Sequence, residues 1–269
     1  MPPPPIISTS LALAFKTHLS RLVYYLLAVT ISAALISTQF SGRQPATVTM
    51  DIGLSLIRLL LPLALVLTIQ ELISREFDRR YYLNTLTYPY SRHKLLLGRF
   101  IATAAFILSL LVVLAGTLAL SIYLTNKAYT QSTTVALGIP YVVTVAFIGI
   151  DLLLLTSVAT LLAVIASSPS FVLFGTFGFM LAARSFGPIV ELLTRNRGVV
   201  SDAESYRSGV GILGYLLPDM GALDVRMITL YSKMELLPTD WPWLVLSSLT
   251  YTAGLLALAV WALQRKRFA

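Results

Sequence analysis

The chain has no cysteine and only two histidines in 269 residues. Without thiols there is no disulfide, no thiolate metal site and no cysteine nucleophile. His18 and His93 alone are too few ligands for a haem or zinc centre. Charge is scarce as well: 12% of residues are charged against 57% apolar, and mean hydropathy is +0.80. A water-soluble fold of this length could not enclose so much apolar surface. The motifs H-E-x-x-H and G-x-S-x-G are missing, as is G-x-x-x-x-G-K-[ST], the loop that cradles nucleotide phosphates. An intramembrane acid enzyme would need two carboxylates at one depth, and Asp151 is the only acid well inside an apolar run. The chain is therefore expected to hold no catalytic, cofactor or metal site.

What it does have is apolar length. Six runs can each cross a hydrocarbon core about 30 Å thick at about 1.5 Å per residue. They predict an all-α integral membrane protein with crossings at 22–40, 52–73, 95–124, 135–166, 171–190 and 241–263. Together these form one transmembrane domain over 10–269, with no stretch left for a separate globular unit. Residues 1–9, which include the proline run Pro2 to Pro5, are expected to be disordered. Over 10–21, Leu11, Phe15 and Leu19 recur at helical spacing with Lys16, His18 and Arg21 between them. That pattern fits an amphipathic helix lying at the interface, or an extension of the first crossing. A cleaved signal peptide fits less well, because the apolar run is long and no small-x-small site follows it. Pro62 should kink the second crossing. The fourth, about 48 Å if fully helical, requires tilt, an overhang, or a break near Gly138 and Pro140. The fifth is expected to end at Gly187 and Pro188.

Orientation follows from the basic residues. Lys16 and Arg21, the loop residues Arg75, Arg79, Arg80, Arg92, Lys94 and Arg99, and the tail residues Arg265, Lys266 and Arg267 all fall on one side. The two short loops on the other side hold only Arg43 and Lys127. Short basic loops stay on the cytoplasmic side, which places both termini inside a multi-pass protein of the inner (plasma) membrane. The net charge of +8 is explained by this orientation and by lipid headgroups, with no need for nucleic acid. Trp241, Trp243 and Tyr251 open the sixth crossing as an interfacial belt would.

The loop 74–94 carries more than topology. Arg75-Glu76, Leu83, Leu86, Pro89-Tyr90-Ser91-Arg92 and Leu96-Leu97-Gly98-Arg99 occur in one order between two crossings. This set resembles the first cytoplasmic loop of ABC-2 type permeases, and the likeness extends loosely over the chain: six crossings, a long segment between the fifth and sixth, and a short basic tail. Arg80 and Tyr81 depart from the pattern, standing where that family has Gly-Thr. The resemblance implies an ABC-2 permease fold (type V exporter-like) and a transmembrane subunit of an exporter. It also implies a second permease subunit, with a homodimer expected, and cytoplasmic ABC ATPase subunits that bind the ATP and Mg this chain does not. A loop that transmits motion needs an apolar knob and a charged rim. Tyr81, Tyr82, Leu83 and Leu86 could supply the knob, with Glu76, Asp78, Arg79 and Arg80 as the rim. Without the resemblance, the same loop reads as a topology determinant whose aromatics rest on headgroups. Two other classes stay open: an ATP-independent carrier or channel, and a scaffold that passes ATPase motion to an outer partner.

Three charges lie inside the crossings. Counted from the cytoplasmic ends, Arg58, Asp151 and Arg184 stand at about 24, 26 and 23 Å, a shared level. An isolated Asp at such depth costs about 2.5 to 3.5 kcal/mol even on a lenient insertion scale. Arg184 is its expected partner because the fourth and fifth crossings form a tight hairpin, and Arg58 is the second candidate. The alternative is that both arginines snorkel to headgroups. In the long outer segment (191–240), Leu223, Met227, Leu230 and Met234 recur at helical spacing. They predict a helical stretch over Ala222 to Met234 that, with Val210 to Leu217, forms a re-entrant or surface-lying cap over the outer mouth of a pathway, the alternative being a loosely ordered loop.

Overall fold

The computed structural model describes residues 19–42, 44–74, 92–128, 135–166, 168–195 and 217–265. The expectations for the N-terminal stretch up to His18, for the loop residues 75–91 and for Val210 to Leu216 concern residues outside these. The described residues form helices joined by turns, with no strand among them. Among the described residues, six helices are long and apolar enough to cross a membrane. They are α1 (Leu19–Phe40), α2 (Pro45–Ile69), α3 (Arg92–Ala128), α4 (Ile139–Ile165), α5 (Pro169–Arg195) and α6 (Trp241–Arg265). A π-helical turn, Gln70–Ser74, extends α2.

The helix ends follow local chemistry, and several differ from the sequence expectation. α1 takes in Leu19, Ser20 and Arg21, so these belong to the crossing helix itself. α2 starts at Pro45 rather than Ile52, because proline's fixed φ and missing N–H suit the first turn of a helix. The preceding connection shrinks to a turn at Gly42, whose φ of 57° favours glycine. As a result Asp51 lies in α2 and not in a loop. α2 then passes through Pro62 to Ile69. The excess length of the fourth crossing is resolved by a break at Gly138, and α4 begins at Ile139 with Pro140 in its first turn. α5 does not end at Gly187 and Pro188 but runs on to Arg195. A proline removes one helical hydrogen bond, and inside a bundle the neighbouring bonds carry the helix past it.

Among the spanning helices α4 is the most enclosed, with 72% of its apolar window buried, followed by α2 with 61%. α6 lies along α4, α1 along α2, and α3 touches α1, α2, α4 and α6. The apolar faces left outside, such as Tyr24, Leu35 and Phe40 on α1 and Trp243 and Trp261 on α6, suit lipid chains and headgroups. Lipid tails are as apolar as leucine, so helix association here depends on close packing and on hydrogen bonds between helices. Tyr141 of α4 donates to the carbonyl of Ala115 on α3 at 2.6 Å, and Ser37 of α1 donates to Thr49 of α2 at 3.0 Å. Buried Thr68, Thr156 and Thr160 return their hydroxyls to their own helix.

The tightest approach is between α2 and α3. A Cβ on Gly53 would lie 2.3 Å from Leu118 Cδ1, and Leu118 is fully buried. Gly53→Ala should therefore force the two helices apart and destabilise the protein by about 1 to 3 kcal/mol. Leu118→Ala in the same chain should restore part of that loss, as read from the unfolding midpoint in detergent. Unchanged stability of the Gly53→Ala variant would contradict this packing.

Candidate functional site

Asp51, Ser55 and Arg58 stand at i, i+4 and i+7 along α2 and so form one polar stripe on an apolar helix. Asp151 sits twelve residues into α4, about 18 Å along a helix some 40 Å long. Arg184 comes from the second half of α5. The structure brings these three helices together at their charges. Arg184 Nη2 donates to Asp151 Oδ2 at 2.5 Å, and Arg58 Nη2 lies 3.9 Å from the same oxygen. Arg184 Nη1 also reaches the carbonyl of Arg58 at 3.4 Å, which ties α5 to α2 directly.

The remaining members come from the connection between α5 and α6. Asp224 Oδ2 lies 2.5 Å from Arg58 Nη1 and 3.5 Å from Arg226 Nε. Arg226 Nη1 in turn lies 3.0 Å from Asp51 Oδ1 and donates to Ser55 Oγ. The Asp51 contact is ionic without hydrogen-bond alignment. The result is a continuous seam of alternating sign, from half-exposed Asp51 through Arg226, Asp224 and Arg58 to Asp151, which is 1% exposed, and Arg184.

Local turns deliver Asp224 to this place. Asp219 Oδ1 accepts the amide of Ala222 at 3.0 Å, and the amide of Asp224 bonds the carbonyl of Gly221 at 3.0 Å. Asp219 can approach α5 because residue 187 is glycine: a Cβ there would lie 2.9 Å from its carboxylate. Leu223, Val225 and Ile228 enter an apolar cluster with Phe147 of α4, while Asp224 and Arg226 between them join the seam. Thr229 locks the segment to α4, bonding Thr144 Oγ1 at 2.6 Å and the carbonyl of Pro140 at 3.0 Å. The continuous helix expected over Ala222 to Met234 is not formed. The chain makes one helical turn, Met227–Leu230, and a short 3-10 turn, Met234–Leu236. Met227 and Met234, two of the four residues that suggested it, are exposed. Alternation of apolar and charged residues over 223–226, a period of two, was the signal that competed with the helical spacing and won.

Electrostatically the seam holds three guanidiniums and three carboxylates. A buried ion pair gains little net stability because desolvation opposes the attraction, but removing one partner strands the other. The seam is not fully satisfied: Asp151 Oδ1, Arg58 Nε and Arg184 Nε have no hydrogen-bond partner among the described residues. Sequence reasoning singled out Arg58, Asp151 and Arg184 and missed Asp51, Ser55, Asp224 and Arg226. The stripe on α2 was legible had the helix been started at Pro45.

At the opposite end, the loop residues Glu76, Asp78, Arg79, Arg80, Tyr81, Tyr82, Leu83 and Leu86 lie outside the described residues, while the base of the loop is well defined. The guanidinium of Arg99 in α3 donates to the carbonyl of Leu72 in the π turn. Gln70 Nε2 donates to the carbonyl of Pro169, the first residue of α5, at 2.9 Å. Leu96 is buried with Val164 of α4 and with Ala259 and Leu263 of α6. Compared with protein families and with curated proteins, the chain matches none.

Asp151→Asn leaves the partly buried Arg184 without its carboxylate and should destabilise the protein by about 3 kcal/mol. Adding Arg184→Gln should recover part of that loss, a coupling of about 0.5 to 3 kcal/mol in a double-mutant cycle of unfolding. Strictly additive losses would mean that the pair does not hold the helices together.

Proposed function

We propose that this chain is the transmembrane subunit of an ABC-2 type exporter, working in the plasma membrane with both termini in the cytoplasm. In this reading it pairs with a second permease subunit, most simply a copy of itself. Separate cytoplasmic ATPase chains bind ATP and Mg and drive it. The observation that carries the reading is the ordered set Arg75-Glu76, Leu83, Leu86, Pro89-Tyr90-Ser91-Arg92 and Leu96-Leu97-Gly98-Arg99 between two membrane-length helices.

The way the loop is rooted supports it. A push on the loop meets α2 through the π turn, and α3 through Arg92 to Arg99. The bonds from Arg99 to Leu72 and from Gln70 to Pro169 stop these bases from sliding past one another. Motion of the loop is thereby passed to the α4–α5 hairpin, whose charges Asp151 and Arg184 sit further along the same helices. A π-helical turn is a natural place for a helix to yield without melting, since it already departs from the regular hydrogen-bond ladder.

An affinity-tagged chain purified from native membranes should bring down an ABC ATPase. Leu83→Asp with Leu86→Asp should abolish that association and the stimulation of ATP hydrolysis, while the variant still inserts and elutes as a folded protein. Purification of the intact chain with no ATPase would instead favour the ATP-independent carrier or channel. An ATPase that co-purifies with normal stimulation in the double variant would remove Tyr81 to Leu86 from the docking surface.

A further inference from the structure

The inner end of the charged seam reaches balance only with a group from outside the spanning helices. At that level α2, α4 and α5 contribute Arg58, Arg184 and Asp151, two guanidiniums against one carboxylate. The second carboxylate is Asp224, 2.5 Å from Arg58 and carried on the α5–α6 connection. Its side chain is 30% exposed, against 1% for Asp151. Arg226 belongs to the same connection and would leave with it. Asp51, half-exposed and about 10 Å nearer the start of α2 than Arg58, can be solvated on its own.

Two further observations concern the guanidiniums. The described ion pairs of Arg58 and Arg184 all run through a single carboxylate oxygen, Oδ2 of Asp151 or Oδ2 of Asp224, so neither arginine is engaged in the two-pronged contact its geometry favours. Each also keeps an Nε–H with no hydrogen-bond partner among the described residues, and Arg58 is only 7% exposed. Unspent donors on buried guanidiniums are costly unless a ligand or water takes them up.

We propose that Arg58 and Arg184 form a binding site for an oxyanion, a phosphate or carboxylate group, and that Asp224 is its built-in occupant, displaced when the ligand enters. The ligand supplies the oxygens for both forks. Asp151 keeps the two guanidiniums from repelling each other, and its Oδ1 accepts a hydroxyl hydrogen from the ligand. Displacement of Asp224 removes one of the two residues that hold the connection on α2, the other being Arg226, so occupancy of the site favours lifting of residues 217–238. When Asp224 leaves, Arg58 still has the carboxylate of Asp151 3.9 Å away, so the exchange never leaves it facing hydrocarbon alone. The oxyanion could be the phosphate of a lipid headgroup or a soluble phosphate, and the chemistry at the arginines is the same.

The test measures binding to the purified full chain and needs no ATPase, so a negative result would leave the exporter reading untouched. The probes are inorganic phosphate, added to protein in detergent, and phosphatidylglycerol, in nanodiscs made otherwise of phosphatidylcholine. Apparent affinity is reduced in proportion to the fraction of molecules whose site is free, so with Asp224 filling it roughly nine-tenths of the time or more, Asp224→Asn should bind one or both probes at least ~10-fold more tightly than the native chain. Arg58→Lys, which keeps the charge but loses the fork, should cancel that gain. Tightening for phosphate assigns a soluble ligand, and tightening for phosphatidylglycerol alone assigns a headgroup. No tightening for either probe, or tightening that survives Arg58→Lys, overturns the site. A second measurement does not depend on the folding of either variant. The chain has no cysteine, and Thr229 of the connection is fully buried against α4. In Thr229→Cys, titration with the effective probe should speed maleimide labelling at least ~10-fold, and an unchanged rate with both probes overturns the displacement.

Discussion

The structure depends on the need to keep Asp151 paired. A carboxylate 1% exposed, about half-way along the most enclosed helix, can be tolerated only beside a cation. Arg184 meets it at 2.5 Å and Arg58 waits at 3.9 Å. Two cations near one anion create a further demand, which Asp224 answers from the α5–α6 connection. Each charge thus explains the next, out to Asp51 at the exposed end of the seam. The connection follows the same requirement. It is drawn down onto α2 by Asp224 and Arg226, and is held against α4 by Leu223, Val225 and Ile228 and by the hydroxyl of Thr229.

Away from the seam the bundle is held by close contact. Gly53 admits Leu118 into the face of α2, Gly187 admits the carboxylate of Asp219 to α5, and Gly175 lets Leu162 approach across the α4–α5 hairpin. Most buried hydroxyls bond their own helix or bridge to a neighbour, as Thr156, Thr160 and Ser37 do, while Thr103 and Thr176 find no hydrogen-bond partner among the described residues. The contrast with the seam is informative. Its unmatched atoms, Asp151 Oδ1, Arg58 Nε and Arg184 Nε, belong to charged groups gathered at one level, which is where a ligand would find partners.

The two ends of the molecule are mechanically related. The loop between α2 and α3 is rooted on a π turn that touches α3, α4 and α5. The connection between α5 and α6 rests on α2 and α4 at the other end. Both therefore bear on α2 and α4, the two most enclosed helices. A tilt of α2 relative to α4 would shift Arg58 against Asp151 and Asp224 together, and this gives a physical route between the loop and the seam without any long chain of intermediate residues.

The sequence by itself determined the number of spanning helices and their rough limits, because each must cover a fixed hydrocarbon thickness with apolar residues. It also determined the shared depth of Arg58, Asp151 and Arg184, because rise per residue is constant along a helix. The helix starts at Pro45 and Ile139 were partly legible in Pro45 itself and in Gly138 with Pro140. The tight α4–α5 hairpin already favoured Arg184 over Arg58 as the partner of Asp151, but only the tertiary structure set the 2.5 and 3.9 Å contacts, since depth leaves the rotation of each helix about its axis undefined and packing sets it. It alone brought Asp224 and Arg226 to the seam, across more than 160 residues of chain from Asp51 and Ser55. The local pattern over Ala222 to Met234 favoured a helix, and the neighbours in α2 and α4 overrode it by rewarding alternation instead: apolar residues toward Phe147 and charged residues toward Arg58 and Asp51.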